Sequence, residues 1–461
     1  MSETSHFNKG CILTLEITDI NNLGCGVGRA DDGRVVFVKG AVSGDTVKAE
    51  VIKVNKSYAV AKLVEVVTQS KHRCAEKYCN APLACGGCVY RHITYEHELE
   101  LKRDYVKNAF VKAGLSDVNV LPVLSTNRIK GYRNKGQYPV ALTKNGIKAG
   151  FFATKSHNII PADNCMLQNE AFADIVDFVC HFADEHSWSA YNEMTGKGLL
   201  RHIYLRIGEK TGEIMLCLVI NGEAMPNSDI FVNEITARFP SIASVRLSVN
   251  KKNTNVVLGD SFIALYGKDR ITDVLCGLEF SISADAFYQV NRDGAELLYS
   301  IAKEAAELSG NETVMDLYCG TGTIGLSMAD KAKKLYGIDI VPASIECAKE
   351  NALKNCISNA EFFCADAGSR EVILGITEGK APDIVVIDPP RKGSTKELVE
   401  CLASINVPKI VYVSCDPDTL ARDSVWFREA GYAIGNVQPV DMFPRCGHVE
   451  SVVSFRRNDY T

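Results

Sequence analysis

The sequence predicts a chain that ends in a doubly wound, Rossmann-like α/β domain. A small closed β-barrel of the OB type precedes it, with a mainly antiparallel β region between the two. Three observations carry this reading. From about residue 276, short apolar strands alternate with helical stretches, the order that builds a mostly parallel sheet with helices on both faces. Residues 311–326 read NETVMDLYCGTGTIGL, where a buried strand over 314–318 runs into Gly320, Gly322 and Gly325 and then into a helix. G-x-G-x-x-G therefore stands in the strand–turn–helix context of a nucleotide-type ligand site, which by itself fits several cofactors. Residues 8–66 hold five short alternating runs split by Gly, Asp and Asn turns, the spacing of a five-stranded barrel.

A length of 461 residues suits about three domains, placed at 1–67, 68–275 and 276–461. The apolar runs are too short and interrupted to cross a bilayer, and MSETSHFNKG lacks a signal-peptide core. A cytoplasmic protein with no membrane partner is expected. Seventeen cysteines in such a chain point to metal ligands, a reactive thiol and buried thiols rather than to disulfides. The net charge of −5 is unevenly spread. Residues 70–160 carry 15 Lys+Arg against 6 Asp+Glu, and residues 126–161 carry seven basic residues and no acid. A basic surface inside an acidic chain is the electrostatic footprint of a nucleic-acid partner.

In chain order, the barrel segment resembles the TRAM domain, an RNA-binding barrel, through G-x-G-x-G-R-A followed by V-F-V-x-G-A and G-D. Next comes CAEKYCNAPLACGGC, in which Cys79, Cys85 and Cys88 share one glycine-rich loop, with Cys165 as a distant fourth thiol and Cys74 as an alternative. Four thiolates hold zinc or an iron–sulfur cluster, and spacing alone does not decide between them. Residues 97–115 form an amphipathic helix. After it, TNRIKGYRNKGQYPVA interleaves Arg133 and Lys135 with Tyr132 and Tyr138, offering phosphate contacts beside stacking surfaces for unpaired bases. Strands are expected at LLRHIYLRIG, EIMLCLVI, SVRLSVN, NVVLG and FIALYG. In the C-terminal part they are expected at VMDLY, KLYGID, AEFFCAD, DIVVIDPP, KIVYVSCD, IGNVQPVDMFP and VESVVSF, with helices over 292–309, 324–332, 342–354, 395–403 and 417–430.

The chemically interesting residues fall at the C-terminal strand ends, where such sheets bind ligands. Asp339 ends the second strand and suits ribose hydroxyls. Asp366 ends the third, where an adenine amino group could be read. Asp388-Pro389-Pro390-Arg391 ends the fourth, and Asp-Pro-Pro there is typical of methyltransferases acting on nucleobases. Cys415 ends the fifth, just before a helix N-terminus. With a methyl donor in the glycine turn, a thiolate adding to C6 of uracil would make C5 nucleophilic. A base must then take the C5 proton, and Glu450 is the candidate, with His448 beside it.

Taken together, the chain resembles the TRAM-bearing, iron–sulfur RNA uracil-5-methyltransferases that modify 23S ribosomal RNA. The matching motifs are CGGC, YRNK, GFFATKSH, RHIYLR, FYQVN, DLYCGTGTIGL, DPPRKG, SCDP-x-TLARD and MFP-x4-HVE. The resemblance implies a class I methyltransferase domain and S-adenosylmethionine contacts at Gln289, Tyr318, Asp339 and Asp388, with Gly320, Gly322 and Asp366 around them. It implies Cys415 as nucleophile and Glu450 as base. It also implies a 4Fe–4S cluster on Cys79, Cys85, Cys88 and Cys165, zinc being the alternative. The chain departs from the family pattern at Tyr288, Asp339, Asp416 and Cys446, with Asp416 expected to raise the thiol's pKa. One chain supplies every part, so a monomer acting on ribosomal RNA is expected. The alternatives are a transfer-RNA enzyme of the same chemistry, a non-catalytic RNA-binding protein and a nicotinamide-dependent oxidoreductase.

Overall fold

The structure, a computed structural model, describes residues 8–75, 79–82, 84–154, 156–161 and 165–458. The N-terminal strands β1 (Ile12–Ile20), β2 (Cys25–Arg29), β3 (Val35–Lys39), β4 (Thr46–Val54) and β5 (Tyr58–Thr68) close into a barrel in the order β1-β2-β3-β5-β4. Alternate residues fill its interior, among them Leu15, Ile17, Val36, Val38, Val47 and Ala49. The β1–β2 turn reaches out of the barrel towards the rest of the chain. The Tyr90 hydroxyl donates to the Asn21 carbonyl (3.2 Å). Gly447 packs so closely on Asn22 that a Cβ there would sit 1.8 Å from the Asn22 carbonyl oxygen. Only a glycine lets the barrel lie against the segment that leads to Glu450.

After α1 (Tyr95–Lys112), the middle of the chain supplies β6 (Lys135–Thr143), β7 (Gly146–Phe152), β8 (Ile159–Pro161), α2 (Ala171–Glu185), β9 (Leu200–Ile207), β10 (Ile214–Ile220), α3 (Ser228–Arg238), β11 (Ile242–Val249) and β12 (Ser261–Gly267). The strands form one sheet, β12-β11-β10-β9-β6-β7-β8, antiparallel except for β10 with β11. Ile203, Leu205, Leu216 and Leu218 face α2 and α3. The opposite face carries Tyr204, Met215 and Cys217 and joins the core of the C-terminal domain. Residues 255–259, expected as a strand, form a loop instead. The Asn250 amide donates to the carbonyls of Val256 and Val257 (2.8 and 3.0 Å), and this turns the chain away from the sheet.

A hairpin of β13 (Ile271–Leu275) and β14 (Leu278–Ile282) leads into α4 (Arg292–Ala306), β15 (Thr313–Leu317), α5 (Thr323–Met328), β16 (Lys334–Asp339), α6 (Pro342–Lys354) and β17 (Ala360–Cys364). There follow α7 (Arg370–Ile376), β18 (Ile384–Ile387), α8 (Lys396–Ser404), β19 (Lys409–Ser414), α9 (Pro417–Glu429), β20 (Tyr432–Ile434), β21 (Gln438–Val440) and β22 (Glu450–Arg457). The sheet order is β17-β16-β15-β18-β19-β22-β20, with β21 on β22, and β15 to β19 run parallel. The expected doubly wound domain is present, with α7 as a short helix that the sequence reading did not include. No helix among the described residues is long and apolar enough to cross a membrane.

Helix α1 packs its Val106, Ala109 and Phe110 into the core of this C-terminal domain, beside Leu420 and Phe427 of α9. Its polar side carries a buried ionic network. Lys102 Nζ donates to Glu98 Oε1 (2.7 Å), Asp441 Oδ1 (2.7 Å) and the Phe443 carbonyl (3.1 Å). The Arg445 amide donates to Glu98 Oε1 (2.7 Å) and its guanidinium to the Ile93 carbonyl (2.9 Å). All four charged residues are at most 1% exposed. Lys102 therefore belongs to this interior and not to a basic surface. A Lys102→Met substitution leaves Glu98 and Asp441 competing for one remaining cation and is expected to destabilise the fold by about 3–5 kcal/mol, read as a lowered urea midpoint.

Candidate functional site

The glycine turn is built from its strand. Asp316, buried in β15, accepts the Gly325 amide at 2.9 Å and so pins the start of α5. Gly322 takes a left-handed φ of 83°, and a Cβ there would press on Leu326 and Phe362. Tyr318 is also left-handed, at φ 67°, a conformation that tyrosine rarely adopts. At the next strand end, Asp339 accepts the Gly320 amide through Oδ2 (2.9 Å) and the Val341 amide through Oδ1 (2.8 Å). Asp366 is exposed beyond β17, accepts the Gly368 amide (2.9 Å), and reaches the Tyr318 hydroxyl with its field. Gln289 bonds the Tyr299 hydroxyl, which also meets Thr323 Oγ1 at 3.1 Å and feels Asp388. Gln289, Tyr318, Gly320, Gly322, Asp339, Asp366 and Asp388 thus gather along one sheet edge.

Cys415 and Glu450 are brought together by strand register. β19 and β22 pair antiparallel with Ser414 opposite Ser451. The next residues outward are Cys415 and Glu450, so the pair becomes neighbours across the ladder end. Burial, then Glu450 and Asp388, push the Cys415 thiol up to about 11, opposed by Arg391. Burial and Asp388 hold the Glu450 carboxyl up at about 8, again opposed by Arg391. Burial raises Asp388 to about 7 and Asp316 to about 8. Asp416 is not among the leading groups that act on the thiol. Its Oδ1 caps α9, accepting the amides of Asp418 and Thr419 (both 3.1 Å), which corrects the expectation from sequence. His448 is exposed, whereas Glu450 is buried.

Arg391 is the functional side chain that sequence reasoning passed over, although its place in Asp-Pro-Pro-Arg was the available signal. The residues that hold its loop were missed as well. Thr419 Oγ1 donates to the Arg391 carbonyl (3.3 Å), Arg422 to the Lys392 carbonyl (2.8 Å), and Asp423 accepts the Ser394 amide (2.7 Å) and the Tyr412 hydroxyl (2.7 Å). The T-L-A-R-D half of the cysteine motif is therefore the clamp on the Asp388–Arg391 loop.

Cys79, Cys85, Cys88 and Cys165 line a cavity of about 1170 Å³, shared with Arg91, Arg128, Lys130 and Arg133. Cys74 does not line it. Burial, then Cys446 and the other three cysteines, raise the Cys88 thiol. Cys446 also donates to the Gly87 carbonyl (3.3 Å), so the cysteine loop rests directly on the segment before Glu450. Arg133 and Lys135 are half-buried, and Arg133 projects its charge to Cys446 and His448. Tyr132 is a correction. It is fully buried, with its hydroxyl on the Pro444 carbonyl (2.9 Å), and leaves no ring face for a base. Tyr138 is buried too.

Residues 245–458 match the family model of tRNA (uracil-5-)-methyltransferases and residues 7–64 that of the TRAM domain. An uncharacterized RNA methyltransferase of Clostridium acetobutylicum is 42% identical over 96% of both chains, and one of Bacillus cereus is 41% identical over 98% of both. The chain belongs to the uracil-5 RNA methyltransferase family. Among solved structures, the Pyrococcus abyssi tRNA (uracil-54, C5)-methyltransferase in complex with S-adenosyl-L-homocysteine superposes with a TM-score of 0.78 at 29% identity, covering 96% of this chain and 100% of that one. As a member of this family the chain is an S-adenosylmethionine-dependent methyltransferase with an RNA-binding TRAM barrel.

The electrostatics of the pocket give opposite expectations for two neighbours of this methyltransferase's Cys415. Asp388 stabilises the protonated thiol and Arg391 the thiolate. Asp388→Asn should speed alkylation of Cys415 by iodoacetamide at pH 8 by about threefold, and Arg391→Ala should slow it by about as much, the effect of roughly half a pKa unit each. Mass spectrometry of the Cys415 peptide reads both.

Proposed function

We propose that the protein methylates C5 of a uridine in 23S ribosomal RNA through a covalent adduct between Cys415 and C6 of the base. The observation that carries this reading is the register that sets Cys415 beside buried Glu450, with Asp388 and Arg391 acting on both. S-adenosylmethionine, bound along Gln289, Tyr318, Gly320, Gly322, Asp339, Asp366 and Asp388, supplies an electrophilic methyl on a positively charged sulfur. Cys415 attacks C6 as thiolate, forming the S–C6 bond and moving electron density to C5, which takes the methyl as the methyl–sulfonium bond breaks and S-adenosylhomocysteine leaves. Glu450 then accepts the C5 proton while the S–C6 bond breaks and the thiolate is released. Arg391, the cation that opposes the acidic groups here, favours both ionised forms. The base is turned out of its stack to reach the pocket. The reaction belongs to the cytoplasm and needs one copy of the chain.

Cys79, Cys85, Cys88 and Cys165 fit a 4Fe–4S cluster. Four soft thiol ligands converge on one cavity. A single zinc ion would draw tetrahedral sulfurs to about 3.8 Å from one another. Among the described residues the grouping of three or more ligating atoms within 4.8 Å is His72, His97 and Glu100, not the cysteines. The cluster would act as a staple, since methyl transfer needs no electron. Anaerobically purified protein is expected to be brown and to contain iron and sulfide; colourless protein with stoichiometric zinc would overturn the assignment.

A second reading, a transfer-RNA substrate, is favoured by the Pyrococcus abyssi enzyme. That alignment spans 96% of this chain, barrel included, so the barrel does not separate the two substrates. The motif set, which resembles that of the 23S ribosomal RNA enzymes, favours ribosomal RNA. With cofactor present, 5-fluorouridine-substituted 23S ribosomal RNA should form a stable adduct with the wild-type protein and none with Cys415→Ala. An adduct with substituted transfer RNA instead would establish the second reading, and an adduct on the alanine variant would refute the thiol mechanism.

A further inference from the structure

β6 and β9 pair antiparallel with Lys135 directly opposite Arg206, so both side chains leave the same face of the central sheet. It is the face turned to the C-terminal domain, carrying Tyr204 two residues away. Arg206 is 5% exposed. Its Nε donates to the Tyr204 hydroxyl (2.5 Å) and its Nη2 to the Ala286 carbonyl, but Nη1 has no hydrogen-bond partner. Neither Arg206 nor Lys135 takes part in an ion pair among the described residues. Asp285, whose field reaches the Tyr204 hydroxyl, is exposed, accepts from Ser283 (2.7 Å) and forms no salt bridge with Arg206. The charges acting on Lys135 are cations: burial, then Arg206 and Arg133, lower it to about 8. A buried guanidinium with a free N–H, a second cation beside it and no counter-charge is unfavourable until an anion arrives.

The two ends of the methyltransferase pocket flank this spot. Ala286 lies three residues before Gln289, on the segment that enters the cofactor edge. Arg133, two residues before Lys135, acts on Cys446 and His448 just before Glu450. We infer that Arg206 and Lys135 form a preorganised seat for one RNA phosphate next to the target uridine. The inference rests on the reading of the protein as an RNA methyltransferase. The unpartnered Nη1 group of Arg206 with an ammonium at its side suits a phosphate oxygen. Seating that phosphate fixes the register of the strand from which the base is extruded.

The test uses the full-length wild type, Arg206→Gln, Arg206→Lys and Lys135→Gln with unmodified ribosomal and transfer RNA transcripts over a salt series. S-adenosylhomocysteine binding is measured in parallel. On the transcript that the wild type binds, each glutamine variant should lower the slope of log Kd against log salt by about 0.7, one phosphate on a single-stranded segment. kcat/KM should fall about tenfold with S-adenosylhomocysteine affinity unchanged, and Arg206→Lys should keep the slope. An unchanged slope in both glutamine variants overturns the seat, whatever happens to activity. Lost S-adenosylhomocysteine affinity with an unchanged slope would assign the anion to the cofactor carboxylate and also overturn it. Failure of the wild type to bind either RNA would instead remove the RNA reading, and the seat with it.

Discussion

The buried ionic network of Glu98, Lys102, Asp441 and Arg445 is the constraint on which the site depends. Its central bond, Lys102 to Asp441, joins residues 339 positions apart. Desolvating four charges is costly, and only close pairing with full hydrogen bonding offsets it. The network is closely paired. Beyond the ion pairs, Asp441 accepts the Tyr95 hydroxyl (2.7 Å) and the Phe443 amide (3.1 Å), and the Arg445 carbonyl accepts the Tyr90 amide (3.1 Å). Residues 441–446 are thereby fixed against α1, and the chain leaves that anchor straight into Glu450 and β22.

That anchoring explains why the cysteine loop, the barrel and the catalytic edge occupy one neighbourhood. Cys446 touches Gly87, Gly447 packs on Asn22, and Tyr132 beneath them bonds Pro444. The TRAM barrel and the cysteine-lined cavity sit against the segment that leads to Glu450. The pocket itself is acidic: Asp316, Asp388 and Glu450 are all held well above the ordinary carboxylate range by burial. A buried, acid-rich cleft suits a cationic sulfonium ligand. Arg391, on the loop clamped by Arg422 and Asp423, is the counterweight that keeps the thiol and the base within reach of ionisation.

The fold was largely legible because its signals are local. Period-2 runs and turn residues mark the barrel, strand–helix alternation marks the doubly wound domain, and the glycine turn declares itself within one βα unit. Where local signals misled, a single side chain was responsible. Asn250 turns residues 255–259 into a loop by capturing two carbonyls. Tyr132 looked like a stacking ring because it sits among basic residues, yet its neighbours in space are Pro444 and Cys446. Lys102 added to an apparent basic surface while being buried among carboxylates.

The sequence by itself determined the three-part architecture and the glycine-turn edge of the methyltransferase domain, and it singled out Cys415 and Glu450 as candidates, since each lies in a motif whose chemistry is readable within a dozen residues. Only the tertiary structure showed how Cys415 and Glu450 come to be neighbours, because their meeting depends on antiparallel register between β19 and β22. It also decided that Arg391 serves both, that the T-L-A-R-D segment is a clamp, and that Arg206 stands buried beside Lys135 with a donor to spare. Contacts of that kind are set by strand pairing and charge burial across long sequence separations, and no local pattern encodes them.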